Sequence, residues 1–245
     1  MRIHAFHHLY QQRLSLSTRV FNARGSKVER CQFCQVATKY CVCAHQPDIE
    51  SDVAVMLIMS ENEVFKPSNT GRLILDTIKE GYAFQWSRTE PDSEMLALLN
   101  DPQYQPVLVF PAEYADDQTR VISEDNEFFS GNKKPLIILL DGSWREARRI
   151  FRKSPYLDGL PIISIQPQAI SQYVMRKSEN EQHLSTAEVA ILVLQQLGET
   201  KAGNVLDGWF RVFRETYLLS KTRLKPDLTR PELKRFLLEN THSDH

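Results

Sequence analysis

The sequence predicts an α/β fold, a mainly parallel sheet covered by helices, with a small cysteine-bearing knuckle before it and helices after it. Three observations predict this. The runs at 53–59 (VAVMLIM), 106–110 (PVLVF) and 136–140 (LIILL) are apolar at successive positions, the pattern of strands buried on both faces. Amphipathic stretches alternate with these runs, giving the βαβα rhythm of a parallel sheet. From residue 186 onward the pattern becomes helical and stays so.

In chain order, VAVMLIM is the first strand and GRLILDTIKEG (71–81) the helix after it. AFQWSR (83–88) is a strand, SEMLALL (93–99) a helix, and PVLVF and LIILL are strands. WREARRIF (144–151) is a helix and PIISIQ (161–166) a strand. Helices follow at TAEVAILVLQQLG (186–198), NVLDGWFRVFRETYLL (204–219) and RPELKRFLLEN (230–240). Three stretches are expected: a basic arm with a cysteine cluster (1–50), an α/β unit (51–200) and C-terminal helices packed on it (201–245).

The 245 residues are 42% hydrophobic and 25% charged, with a formal net charge of -1, so the overall charge selects no partner. Local charge says more: residues 1–30 contain Arg2, Arg13, Arg19, Arg24, Lys27 and Arg30 against one acid, Glu29. A solvated terminus, a transit peptide and an RNA-facing arm all fit that composition. VAVMLIM is flanked at once by Asp52 and Ser60, so no apolar run reaches membrane-spanning length, and no secretory signal precedes it. The expectation is a soluble, cytoplasmic protein with no membrane association and no obligate protein partner.

All four cysteines fall in CQFCQVATKYCVC, with Cys31 and Cys34 separated by two residues and Cys41 and Cys43 by one. Two thiolate pairs joined by a short loop can close a tetrahedral cage, which points to structural zinc. A redox pair and an iron–sulfur cluster remain open. His45 is a substitute ligand in principle, although a surface position after the knuckle is the simpler reading. A knuckle of this size fastens the arm or presents Lys39 and Tyr40 to RNA.

In parallel sheets ligands bind at the carboxyl ends of the strands. The loops there are SENEVFKPSNTGR after the first strand, FPAEYADD after PVLVF and DGSW after LIILL, and HLSTAE opens the long apolar helix. Ser143–Glu146, Ser185–Glu188 and Thr229–Glu232 each fit the S/T-x-x-E capping box, so these hydroxyls are helix caps first. Capping leaves Asp141 unexplained, because an unpaired carboxylate at the end of a buried strand is costly. Trp144 either continues the core stripe through Ala147, Ile150 and Phe151 or walls a pocket. The other face of that helix carries Arg145, Arg148, Arg149, Arg152 and Lys153, a candidate phosphate-binding surface.

Together these blocks resemble the DTW-domain family, whose Asp-x-Thr/Ser-Trp signature stands here as DGSW, Asp141–Trp144. The cysteine cluster, SNTGRL (68–73) and LSTAE (184–188) match further blocks, so the resemblance spans most of residues 31–200. Serine replaces the more usual threonine at position 143 and keeps the hydroxyl.

The family includes bacterial tRNA-uridine aminocarboxypropyltransferases. The resemblance implies transfer of the 3-amino-3-carboxypropyl group of S-adenosylmethionine to N3 of a tRNA uridine, in the variable loop by analogy with those relatives, with release of methylthioadenosine. It also implies a SPOUT-like fold with a knotted cofactor-binding region. Asp141 and Trp144 are the catalytic candidates, with Asp141 taking the N3 proton or orienting the uridine. The candidate cofactor-binding residues from the strand-end loops and matched blocks are Thr70, Arg72, Pro111, Leu140, Ser143, Trp144, Leu184, Ser185 and Thr186. Amides near Ser185 and Thr186, or alternatively Arg72, are placed to meet the donor's carboxylate. A SPOUT-type RNA methyltransferase and a non-catalytic zinc-containing RNA-binding module are the rival expectations.

Overall fold

A computed structural model describes residues 1–18, 28–122, 131–165, 184–220 and 227–241. Its centre is a five-stranded, all-parallel sheet in the order β2-β1-β4-β3-β5, formed by β1 (Ala54–Met59), β2 (Gly81–Gln85), β3 (Tyr104–Val109), β4 (Lys134–Asp141) and β5 (Ile162–Ile163). The central strand β1 is buried at all six positions, as its unbroken apolar run predicts. PIISIQ forms only a two-residue strand, at the sheet edge against Leu108 and Val109.

Alternate residues of the strands feed two apolar layers. Val55, Leu57, Met59, Ile137 and Leu139 face one layer; Ala54, Met56, Ile58, Leu136 and Ile138 face the other. The first layer is covered by α2 (Gly71–Thr77), α5 (Thr186–Gln196) and α6 (Thr200–Leu219). The second is covered by α3 (Ser93–Leu99) and α4 (Trp144–Arg152), through Met95, Ala147, Ile150 and Phe151.

The helix expected over 71–81 stops at Thr77. Ile78 is extended and the chain turns into β2 at Gly81, where any side chain would meet Leu75.

The N-terminal basic stretch contains a helix, α1 (Ala5–Leu16), whose Phe6 and Leu9 enter the first apolar layer beside Trp209 of α6. Its cations are engaged: Arg2 donates to Asp48 and to the Leu75 carbonyl, and Arg13 to Glu61. Arg19, Arg24 and Lys27 lie outside the described residues. Buried residues from 1–50, 51–200 and 201–245 all join that one layer, so the three stretches share a core.

Two of the three expected capping boxes form, at Ser143–Glu146 and Ser185–Glu188. The third does not. Thr229 bonds Asp227, while the first amides of α7 (Pro231–Thr241), those of Glu232 and Leu233, donate to Glu215 of α6. A carboxylate from a neighbouring helix replaces the local hydroxyl and complements the helix dipole better. The knot implied by the family resemblance is not among the described features, and residues 166–183, which join β5 to α5, lie outside them.

Candidate active site

β1 and β4 are neighbours, with Met59 opposite Asp141, and the Ser60 amide donates to the Asp141 carbonyl at 2.8 Å. After β1 the chain enters α2 on one face of the sheet; after β4 it enters α4 on the opposite face. Adjacent strands that leave in opposite directions open a crevice between their carboxyl ends, the usual ligand position of such sheets. DGSW and SENEVFKPSNTGR are the two loops at that crevice.

The β1–α2 loop is a series of tight turns. The amides of Glu63, Lys66 and Asn69 each bond the carbonyl three residues earlier. This spacing of three gathers the side chains: Lys66 pairs with Glu63, and Asn69 donates to Glu63 Oε2 at 3.3 Å and to Asp141 Oδ2 at 2.6 Å. The other carboxylate oxygen, Asp141 Oδ1, accepts from Thr186 Oγ1 at 2.5 Å. A Cβ added to Gly71 would lie 2.6 Å from Asp141 Oδ2, so the α2 backbone approaches the carboxylate as only glycine permits.

Asp141 is 2% exposed. Burial, reinforced by the Glu63 charge, pushes its carboxyl up to about 6, against the pull of the Thr186 and Asn69 hydrogen bonds. Both oxygens are committed, so the group joins three segments: the end of β4, the entry to α2 and the first turn of α5.

Thr70 adds a second tie, its Oγ1 accepting the Ala187 amide at 3.3 Å. The Ser185 amide donates to Glu188 Oε2 at 2.8 Å. Much of the α5 first turn is thereby satisfied from within, which narrows the room for a ligand carboxylate there. Leu184 packs at the rim of the first layer and Leu140 at that of the second.

Ser143 caps α4: its Oγ accepts the Glu146 amide at 3.4 Å, and its own amide donates to Glu146 Oε2 at 2.8 Å. Trp144, at the first helical position, does not continue the core stripe, because 41% of it is exposed. Its ring stacks on Phe110 at 5.5 Å and meets Tyr114 edge-on at 5.4 Å. Pro111, between Phe110 and Tyr114, starts the turn that positions Tyr114. DGSW therefore divides: Asp141 serves the α2/α5 layer, and Trp144 leans on the α3/α4 layer.

Arg72 is 1% exposed, and its backbone amide donates to Asn69 Oδ1 at 3.1 Å. Its Nη2 donates to the Cys34 and Pro67 carbonyls at 2.8 and 3.1 Å, and its guanidinium lies 4.9 Å from the Phe213 ring. The arginine braces the knuckle and the β1–α2 loop against α2 and α6, while its Nε and Nη1 are buried without a hydrogen-bond partner among the described residues.

The four cysteines converge. Cys31 and Cys43 Sγ are 3.6 Å apart, Cys41 and Cys31 3.6 Å, and Cys34 and Cys41 3.8 Å. A tetrahedral zinc site with bonds of about 2.3 Å sets its sulfurs about 3.8 Å apart, whereas a disulfide needs about 2 Å. The residues present therefore fit zinc, and His45 is outside the cluster. Left as thiols they compete: the Cys43 hydrogen bond draws Cys34 down to about 5, while Cys43 is pushed up by its bond to Cys34 and Cys41 by burial. Lys39 is exposed, 4.8 Å from the Tyr40 ring.

Glu63, Lys66 and Asn69 were not among the residues expected from the sequence. Their spacing of three in a polar strand-end loop was the available signal, but only the turns reveal that it gathers them beside Asp141.

The DTW domain family model matches residues 28–218. A relative from Drosophila melanogaster, named tRNA-uridine aminocarboxypropyltransferase 2, is 26% identical over 225 residues, covering 86% of this chain and 81% of its own length. No solved structure gives a significant match.

Proposed function

This chain belongs to the DTW-domain family, and we propose that it is a cytoplasmic S-adenosylmethionine-dependent tRNA-uridine aminocarboxypropyltransferase. The observation that carries the proposal is the convergence of SNTGRL, DGSW and LSTAE at the β1/β4 crevice, fastened there through Asp141, Asn69, Thr70 and Thr186. The name of the Drosophila relative supports the reaction class. The knotted SPOUT-like chain path belongs to the same proposal.

The donor supplies a sulfonium whose three carbons are all open to attack. The protein's task is to select one by position. In the proposed reaction the uridine N3–H gives up its proton, N3 bonds the γ-carbon of the aminocarboxypropyl group, and the C–S bond breaks with its electron pair going to sulfur. Methylthioadenosine leaves and the proton passes to solvent.

Asp141 acts here as a positioning residue. It is 2% exposed, and its oxygens accept from Asn69 and Thr186, which ties together the loops that form the crevice. Thr70, Thr186, Leu140, Ser143, Leu184 and Ser185 border the donor, and Pro111 and Trp144 stand outside the donor site, on the α4 side of the crevice. The exposed Arg145, Arg149, Arg152 and Lys153 provide the tRNA phosphate surface. Zinc, held by Cys31, Cys34, Cys41 and Cys43, keeps the knuckle folded.

The test is product analysis. The purified protein, given S-adenosylmethionine and an unmodified tRNA transcript, should release methylthioadenosine and yield an aminocarboxypropyl nucleoside in the digest. S-adenosylhomocysteine as the product would establish methyl transfer and overturn the proposal.

A further inference from the structure

Trp144 is the most exposed of the described Phe, Tyr and Trp side chains, and every other one is buried or half-buried. Its exposure is not slack packing. Phe151 stacks on Phe110 at 4.3 Å and 3°, and Phe110 on Trp144 at 5.5 Å and 18°, so a row of rings runs from the core to the surface and ends at Trp144. Tyr114 supports the edge, and the Ser143–Glu146 capping box fixes the helix turn from which the indole projects.

One cation lies against this ring, and four more share its helix and the residue after it. The Arg148 guanidinium lies 5.7 Å from the Trp144 ring, and Arg149 5.3 Å from the half-buried Trp86 ring. Arg145, Arg152 and Lys153 are exposed on the same helix. Among the described residues no carboxylate pairs with any of the five. An acidic face of another protein would match the charge but not the ring, and a lone phosphate would match neither the ring nor the length of the stripe.

We propose that Trp144 is a stacking platform for an unpaired RNA base, with the α4 cations holding the phosphates on either side of it. The proposal rests on the tRNA substrate of the preceding section and deepens it, by moving Trp144 from donor binding to substrate recognition. A ring already ordered by its neighbours loses little freedom on binding. Stacking also accepts only a base that has left its helix, so the platform selects loop nucleotides over paired ones. The layer arrangement agrees, since Asp141 and the loops it fastens serve the opposite face of the sheet.

The test uses the intact protein with a short single-stranded oligouridylate, the same strand annealed to its complement, and S-adenosylmethionine. Trp144→Ala should weaken single-strand binding roughly 5- to 150-fold, the range for loss of one stacked base. Trp144→Phe should recover most of it, and binding of the duplex and of S-adenosylmethionine should stay near wild type. Arg152→Gln should weaken both RNA forms alike and flatten the salt dependence. Unchanged single-strand affinity in Trp144→Ala overturns the proposal, as does a loss confined to S-adenosylmethionine, which would make Trp144 a wall of the donor pocket. The two readings fail separately. Methylthioadenosine release with normal RNA binding by Trp144→Ala removes the platform alone, and a Trp144-dependent single-strand affinity without methylthioadenosine removes the reaction alone.

Discussion

Thr186 donates to Asp141 Oδ1 at 2.5 Å, a hydrogen bond between residues 45 positions apart that joins the first turn of α5 to the end of β4. With the Asn69 bond at 2.6 Å on the other oxygen, it makes one carboxylate the junction of three matched blocks. Thr186→Val removes the donor with little change of shape and leaves a buried acceptor short of a partner. The expected cost is about 1–3 kcal/mol, with S-adenosylmethionine affinity falling more than tRNA affinity. Urea unfolding and calorimetry check both parts, and a larger loss of tRNA affinity would assign α5 to the RNA side.

Gly71→Ala tests the same junction from the α2 side. The new methyl would lie 2.6 Å from Asp141 Oδ2, too close for any relaxed contact. The expected result is a strongly lowered melting temperature, or loss of the Asp141–Asn69 bond with activity near background. Near-normal stability and activity would show that the loop yields easily.

Two buried groups make stability depend on pH in opposite directions. Asp141 titrates near 6 when folded, above its ordinary 3.8, so between about pH 4 and 6 the native state holds a proton that the unfolded chain has released. Its contribution to stability therefore falls as pH rises through that window and is level above it. His7 is lowered from 6.5 to about 4, by burial and then by His4, so in the same region the unfolded chain binds the proton and stability rises with pH. Unfolding free energies of wild type, Asp141→Asn and His7→Gln across this range separate the two, because the wild-type-minus-variant difference should slope down for Asp141 and up for His7. Parallel curves would contradict the assigned shifts.

Metal removal should reach beyond the knuckle. Cys34, Val36 and Val42 lie in the same apolar layer as α2, and Arg72 joins the Cys34 carbonyl to that helix. Chelation is expected to raise hydrogen exchange in α2 together with residues 28–50. Exchange confined to the knuckle would show that Arg72 does not transmit the loss.

Glu215→Ala should fray α7. That side chain accepts the Glu232 and Leu233 amides, and losing such a cap costs about 1 kcal/mol. Thr229→Ala, by contrast, should leave the helix intact, as followed by hydrogen exchange of its first turn.

The sequence by itself determined the parallel sheet, because apolar runs without alternation have no solvent-facing side to offer. It also determined the cysteine cluster, whose close spacing brings the four sulfurs together, and the caps at Ser143 and Ser185, which depend on residues three apart. The tertiary structure decided what depends on distant partners. Asp141 is satisfied by residues 72 positions before it and 45 after it, Glu215 displaces the local cap at Thr229, and Arg72 ties the knuckle carbonyl of Cys34 to the β1–α2 loop. Local pattern fixes which face a residue shows, but the partner that meets it is set by how the layers close.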